Sequence, residues 1–309
     1  LMVDPKGDLV REFLERVDEK RRDDIVVVDP TAPRPVGLDI LHDAGRDPQR
    51  IADTLLATFR SLFADNWGIR SESVISNALL ELTRRPGSTL VELPLLLTDA
   101  SYRKRFRVGA DDPLGTGQFW RSYDELSAGA QATLIGPALT KLQQVLLRPA
   151  VRHTIGQQNP AFRLSELYTH RRIVLVSLNR GVLGEAAALI GSLIVSQWWL
   201  LTLERATLPP ARRHLVDVYL DEVHEFLRLP GGELETAMSM GRALGVAIHV
   251  AHQYRRQLTE DLRAAFDSSA RSKIVFGLNQ PDAGDIARYI PNLDAEDFTS
   301  LPRFHAYTT

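Results

Sequence analysis

The run Val216, Asp217, Val218, Tyr219, Leu220, Asp221, Glu222 brings two adjacent carboxylates to the end of an apolar segment. Its β-branched and aromatic residues predict a strand, so Asp221 and Glu222 stand at a carboxyl-terminal strand edge, where ligands of open α/β sheets bind. In nucleotide hydrolysis one such carboxylate holds Mg²⁺, commonly through water, while a second orients or deprotonates the attacking water. A strand that merely ends in a solvated Asp-Glu pair is the plain alternative. The surroundings narrow the choice: Asp4-Pro5-Lys6-Gly7-Asp8 also follows an apolar strand, and Arg242 and Gln253 come 21 and 32 residues after Asp221.

Other chemistries are poorly supplied. The chain has no cysteine, which excludes disulfides, thiolate catalysis and thiolate-ligated metals. His224-Glu225 fails the metalloprotease pattern because Arg228 stands where the second histidine is required. His249 and His252 are three apart on one expected strand, so they point to opposite faces and do not chelate one ion. A net charge of -2 and a pI near 6.5 give no global field for nucleic acid, so any DNA contact has to come from a local patch. Two such patches are Tyr102-Arg103-Lys104-Arg105-Phe106-Arg107 and Tyr254-Arg255-Arg256; the first also reads as a solvated helix face.

The elements that must position these residues follow an α/β pattern. An opening strand at Leu1–Val3, a helix over Asp8–Val17 and a strand at Ile25–Val28 make a βαβ unit and predict a buried parallel sheet. From about Asp47 the apolar spacing turns helical (Ile51, Leu55, Leu56, Phe59, then Val74, Ile75, Leu79, Leu82), with breaks at Pro86-Gly87 and over Asp111–Gly117. Strands resume at Ile173–Ser177, Leu215–Leu220, Val246–Ala251 and Lys273–Phe276, separated by helices over Gly184–Glu204 and Glu233–Leu244. The expected organisation is an α/β core over 1–45 and 166–309, interrupted by an all-helical domain over 46–165. Ala186–Leu203 is uncharged and near the shortest spanning length, but it carries Ser192, Ser196, Gln197 and Thr202 and lies between two strands, so it reads as a buried core helix. No internal repeat and no low-complexity tract is present.

Taken together, these motifs resemble the FtsK and HerA superfamily of DNA-pumping ATPases. Gly241-Arg242-Ala243-Leu244-Gly245, an apolar strand and Ala251-His252-Gln253 look like the segment after that superfamily's Walker B strand. Asp4–Asp8 resembles its second core strand, and Lys273–Phe276 with Asp282-Ala283 a later strand and helix. The helical insertion, Trp67-Gly68-Ile69-Arg70, Phe119-Trp120 and Gly184–Gly191 are most similar to the TraD and TraG type coupling ATPases of conjugation and type IV secretion. The resemblance implies a RecA-like P-loop NTPase core that uses ATP and Mg²⁺. It implies that Asp221 is the magnesium carboxylate, Glu222 the catalytic one, Gln253 a polar sensor of the γ-phosphate and Arg242 an arginine finger reaching a neighbouring subunit. Asp4 and Lys6 are expected near the nucleotide. The implied partners are DNA, further copies of the chain in a hexameric ring, and a relaxase or secretion-channel proteins, at the inner face of a cell membrane that is reached through a region outside this chain.

One departure is decisive for activity. A phosphate-binding loop ends in Gly-Lys-Ser/Thr, and no glycine here is followed by lysine. Gly115-Thr116-Gly117 matches half of one but lies in the helical insertion. In the family this loop precedes the strand that opens the chain, so the expectation is a fragment starting after it, which binds ATP poorly and does not turn it over alone. Arg255 and Arg256, just after Gln253, are the expected DNA-gripping pair of a mobile loop. Two rivals stay open: a non-catalytic binding protein descended from such an ATPase, and a helicase for which Asp221-Glu222-Val223-His224 is the second motif.

Overall fold

The computed structural model describes residues 1–42, 46–63, 68–225 and 233–309; Trp67 and Arg228, both singled out above, lie outside the described residues. Five parallel strands form the main sheet: β1 (Met2–Asp4), β2 (Ile25–Val28), β3 (Ile173–Ser177), β4 (Val216–Leu220) and β5 (Val246–Val250), in the order β2-β3-β1-β4-β5. Helix α1 (Asp8–Arg16) connects β1 to β2, yet β3 lies between them, so the opening βαβ unit skips one position in the sheet. Register is in step across the centre, with Val3 beside Val176 and Leu220, and Val216–Leu220 matched to Val246–Val250. The short β-branched runs suit strands buried on both faces, and β3 has Val174, Leu175 and Val176 buried.

Between β2 and β3 the described regular elements are helical: α2 (Pro48–Leu62), α3 (Ile69–Thr83), α4 (Leu93–Thr98), α5 (Ala100–Phe106), α6 (Thr116–Asp124), α7 (Ala128–Leu146), α8 (Pro149–Ile155) and α9 (Glu166–Thr169). Their starts follow local chemistry. Asp47 caps α2 through Gln49 N, with proline at the first helical position, and Asp99 caps α5 through Tyr102 N. The basic run on α5 does not form one solvated face. Arg103 is buried, pairs with Asp124 at 2.6 Å and donates to Leu96 O, while its guanidinium lies over the rings of Trp120 and Tyr123. This region shares one continuous hydrophobic cluster with the α/β part, in which Leu55, Phe59, Leu79 and Leu82 join Val176, Ile190 and Trp198.

After β3 come α10 (Arg180–Leu183) and the long α11 (Glu185–Glu204). Helix α11 is apolar all round, and 89% of its most apolar 18-residue stretch is buried inside the protein, so its hydrophobicity is consumed by the core. It packs on α2, where Thr58 Oγ1 meets Ser196 Oγ at 3.1 Å. Following β4, α12 (Glu233–Met240) stops earlier than its periodicity suggests, and Gly241–Leu244 tightens into a 3₁₀ turn before β5. A Cβ on Gly241 would lie 3.2 Å from Val246 O, tighter than an ordinary contact, so a side chain there would push the turn and strand apart by a few tenths of an ångström.

The last segment departs from expectation. Lys273–Phe276 does not extend the main sheet: β6 (Ile274–Val275) follows α13 (Glu260–Ser269) and pairs antiparallel with β7 (Tyr307–Thr308). Helices α14 (Gln280–Ala287) and α15 (Ala295–Thr299) pack with them on a second, smaller cluster of Ala283, Ile286, Ile290 and Phe298. The segment is held by its C-terminal neighbours instead: Lys273 and Thr309 exchange two backbone hydrogen bonds and Val275 packs with that small cluster, which leaves Ile274 and Phe276 exposed.

Candidate functional site

Central strand β1 delivers Asp4 to the carboxyl edge of the sheet, where it is fully buried. Its two oxygens accept from Lys6 N at 2.8 Å and Val10 N at 3.2 Å, which folds the Pro5–Asp8 turn back over the strand end. Gly7 closes that turn at φ 83°, and a Cβ there would lie 2.8 Å from Ser177 Oγ on β3. The Asp4 carboxylate is thus occupied by backbone amides, and it shapes the loop that carries Lys6, the residue expected with it near a nucleotide.

Strand β4 is held from both sides at the same edge. Asp221 N donates to Val3 O at 3.1 Å, and Val223 N donates to Ala251 O at 2.9 Å. Between them Glu222 sits at φ 44°, in the left-handed region that costs a non-glycine residue about 1–2 kcal/mol. A strained residue at a strand end is where a fold stores a functional constraint. Glu222 is only 6% exposed, and its Oε1 accepts from Lys6 Nζ at 2.6 Å and from Gln253 Nε2. Its Oε2 is buried without a hydrogen bond and lies 3.7 Å from His224 Nδ1. Residues 216 positions apart are thus joined by one ion pair, and hydrogen bonding to Glu222 is the main cause that raises the Lys6 pKa above its ordinary value.

A cleft of about 260 Å³ opens over this constellation, lined by Pro5, Lys6, Arg180, Glu222, His224, Gln253 and Gln257. Lys6, Glu222 and Gln253 are thereby brought together as expected. Arg180 and Gln257 were not anticipated; the signal for Arg180 was its place three residues beyond the end of β3, at the same sheet edge. Asp221 is beside the cleft rather than in its wall. Burial, and then the Glu222 charge, push its carboxyl pKa up, while Lys6 works the other way.

Two expected site residues lie elsewhere. Arg242 is exposed in the turn before β5, at the amino edge of the sheet, one full strand away from Glu222. Strand rise sets that separation at roughly 16 Å, so Arg242 does not serve the cleft of its own chain. Arg255 is buried and makes a two-pronged ion pair with Asp267 at 2.9 and 2.6 Å, so it is not presented to DNA; only Arg256 is exposed, with its guanidinium 5.7 Å from the Tyr254 ring. His249 pairs with Asp217 at 3.0 Å and stacks on Tyr219, whereas His252 stacks on Phe266. Among the described residues no cluster of three metal-ligating side chains exists.

No protein-family profile and no curated protein matches the chain. Solved structures do. The bacterial conjugative coupling protein TrwBdeltaN70, in its unbound form, superposes with a TM-score of 0.65 at 16% identity, over 100% of this chain and 75% of that chain. The chain has the RecA-like fold of the conjugative coupling proteins. Plasmid coupling protein TrwB in complex with ADP and Mg²⁺ gives 0.66 at 18% identity over 100% and 74% of the two chains. VirB4 of Thermoanaerobacter pseudethanolicus gives 0.52 at 13% identity over 98% and 76%. The coupling-protein fold therefore extends over the helical region as well as the sheet.

Proposed function

We propose that this chain is the greater part of an ATP-driven DNA translocase of the coupling type used in conjugation or type IV secretion. The observation that carries the reading is the Glu222 carboxylate, strained, buried and shared by Lys6 and Gln253 at the carboxyl edge of a parallel sheet. The residues at the strand end fit a divalent cation such as Mg²⁺. An orphaned buried oxygen on Glu222 and a neighbouring Asp221 whose pKa is raised by burial and by Glu222 make a site short of positive charge, which a divalent cation relieves.

In this reading Asp221 holds the metal, and Glu222 accepts a proton from the attacking water through the carboxylate that Lys6 and Gln253 orient. Bound Mg²⁺·ATP supplies the phosphoryl group and the charge neutralisation that its transfer needs. Lys6 and Arg180 present cations to phosphate oxygens, and Gln253 reports their presence to the loop behind it. Arg242 acts in a neighbouring copy, consistent with its exposure at the opposite sheet edge, and this calls for a ring, which we take as a hexamer. Arg256 is the surviving DNA contact of its loop. Residues 46–165 form the inserted helical domain, and a relaxase or channel protein is the partner at the inner membrane face.

The phosphate loop is assigned to sequence outside these 309 residues. Two features support this: the outer edge of β5 has no partner strand among the described residues, and Asp217, Tyr219 and His249 lie exposed on a face that a parallel sheet normally covers. The test is ATP hydrolysis, with and without DNA, by the chain extended upstream through about forty native residues, beside its Glu222→Gln variant. DNA-stimulated turnover that falls by about 10³ or more on that substitution supports the motor. An extended protein with no turnover makes this chain a non-catalytic binding protein.

A further inference from the structure

The turn that follows β5 has two sides. Gln253 and Gln257 line the cleft, while between them Arg255 points into the protein and is 7% exposed. Its guanidinium engages both oxygens of Asp267 on α13, whose side chain is itself 8% exposed. Its backbone amide donates to Asp282 Oδ2 at 3.3 Å, on α14, and Asn279 Nδ2 donates to the same oxygen at 3.1 Å. The guanidinium also lies 6.0 Å from the Tyr289 ring. The turn closes on itself through Gln257 Oε1, which accepts from Tyr254 N at 2.9 Å, and through Leu258 N, which donates to Arg255 O at 3.0 Å.

A buried guanidinium is costly unless it is engaged, and here the two terminal nitrogens are taken up by Asp267 while Nε is buried without a hydrogen bond, so the two-pronged pair is the contact that holds the side chain in place. From this turn Gln253 Nε2 donates to Glu222 Oε1. Asp267 sits on the helix that leads to β6 and engages the Arg255 guanidinium, whereas Asp282, in the first turn of the helix of the small second cluster, holds the Arg255 backbone amide.

We propose that Arg255 is a positioning residue: its guanidinium on Asp267 sets the 253–257 turn so that Gln253 and Gln257 face the cleft, while its backbone amide on Asp282 and its place beside Tyr289 tie the cleft to the C-terminal unit over 273–309. The proposal rests on the reading of Gln253 as a site residue, but its geometry is testable without nucleotide. A lysine at this position keeps the charge and loses the second prong, so Arg255→Lys is the primary variant. Because a half-broken buried pair can unfold α13, Arg255→Met/Asp267→Leu, which replaces the pair by apolar side chains of similar volume, is measured beside it.

The readout is the side-chain amide resonance of Gln253 in the 309-residue chain, together with amide exchange. In the wild-type protein that resonance is displaced by Glu222, and Glu222→Gln moves it. In both variants it is expected to collapse towards the free-glutamine position, with exchange at 255, 257 and 258 faster by about tenfold or more and exchange in β1 and β4 unchanged. A Gln253 signal that stays in place in a folded variant overturns the proposal. In the extended protein, Arg255→Lys is expected to lower kcat with little change in KM, and to add nothing to Gln253→Ala. Full independent losses overturn positioning, whereas absence of turnover in the extended wild type, with the Gln253 signal still dependent on Arg255, overturns the ATPase reading alone.

Discussion

Replacing Gly7 by alanine tests whether the loop over the sheet edge is held as described. The backbone there is at φ 83°, and a Cβ would stand 2.8 Å from Ser177 Oγ. Left-handed backbone costs an alanine about 1–2 kcal/mol, and the stiffer unfolded chain returns about 0.4–1 kcal/mol. Overlap with a side-chain oxygen in a packed strand adds about 1 kcal/mol or more. The net loss is therefore about 2 kcal/mol, and with a urea dependence near 3 kcal/mol per molar the unfolding midpoint falls by about 0.7 M. Trp198 and Trp199, buried in α11, supply the fluorescence signal. The double variant Gly7→Ala/Ser177→Ala removes the overlapping oxygen but keeps the backbone cost, so it recovers about half of the loss and the two changes couple. A neutral Gly7→Ala, or a double variant whose losses simply add, refutes the geometry from which Lys6 reaches Glu222.

Three further outcomes follow from other parts of the molecule. Arg103→Met removes the pairing with the half-exposed Asp124 and the bond to Leu96 O and empties the contact over Trp120 and Tyr123, so a loss of about 1–2 kcal/mol is expected by urea unfolding. Burial works against the His42 charge, but Asp39 and the carbonyls of Leu82 and Arg85 outweigh it and raise the His42 pKa above 6.5; the same pairing outweighs burial at Asp39 and lowers its pKa below 3.8. The histidine contribution is complete below pH 6.5 and is lost as pH rises through the raised value; the aspartate contribution is present above pH 3.8 and is lost as pH falls through the depressed value. The stability difference between wild type and Asp39→Asn should thus peak between those limits and shrink on either side. Arg242→Ala is expected to leave the chain's own stability within about 0.5 kcal/mol, while in the extended, ring-forming protein it cuts turnover by about 10³; a large stability loss would instead place Arg242 in the fold of its own chain.

Much of the α/β framework was legible because it rests on local patterns. Ile25–Val28 and Ile173–Ser177 are bounded as strands where their β-branched runs begin and end, and β4 ends where two carboxylates interrupt an apolar run. Adjacent carboxylates at such an edge are readable because strand direction alone puts them on the ligand side. Helix α11 was readable as core because between its terminal glutamates the polar residues Ser192, Ser196, Gln197 and Thr202 are uncharged and the chain on both sides forms strands.

What tertiary structure decided was who meets whom. Nothing in the spacing of Lys6 and Glu222, 216 residues apart, announces their ion pair; it exists because β1 and β4 are neighbours and Asp4 folds the loop. Asp4 and Arg255 carry the residue types of a binding site, yet burial gave their charges to backbone amides and to Asp267. Strand β6 had the composition of a core strand but pairs with β7 outside the main sheet, because its backbone partner and the cluster that covers Val275 come from the C-terminal segment. Composition and periodicity determine which segments form strands and helices and which ends bear carboxylates. The partner of each charge depends on strand order and packing, which act between residues far apart in sequence and so leave no local trace.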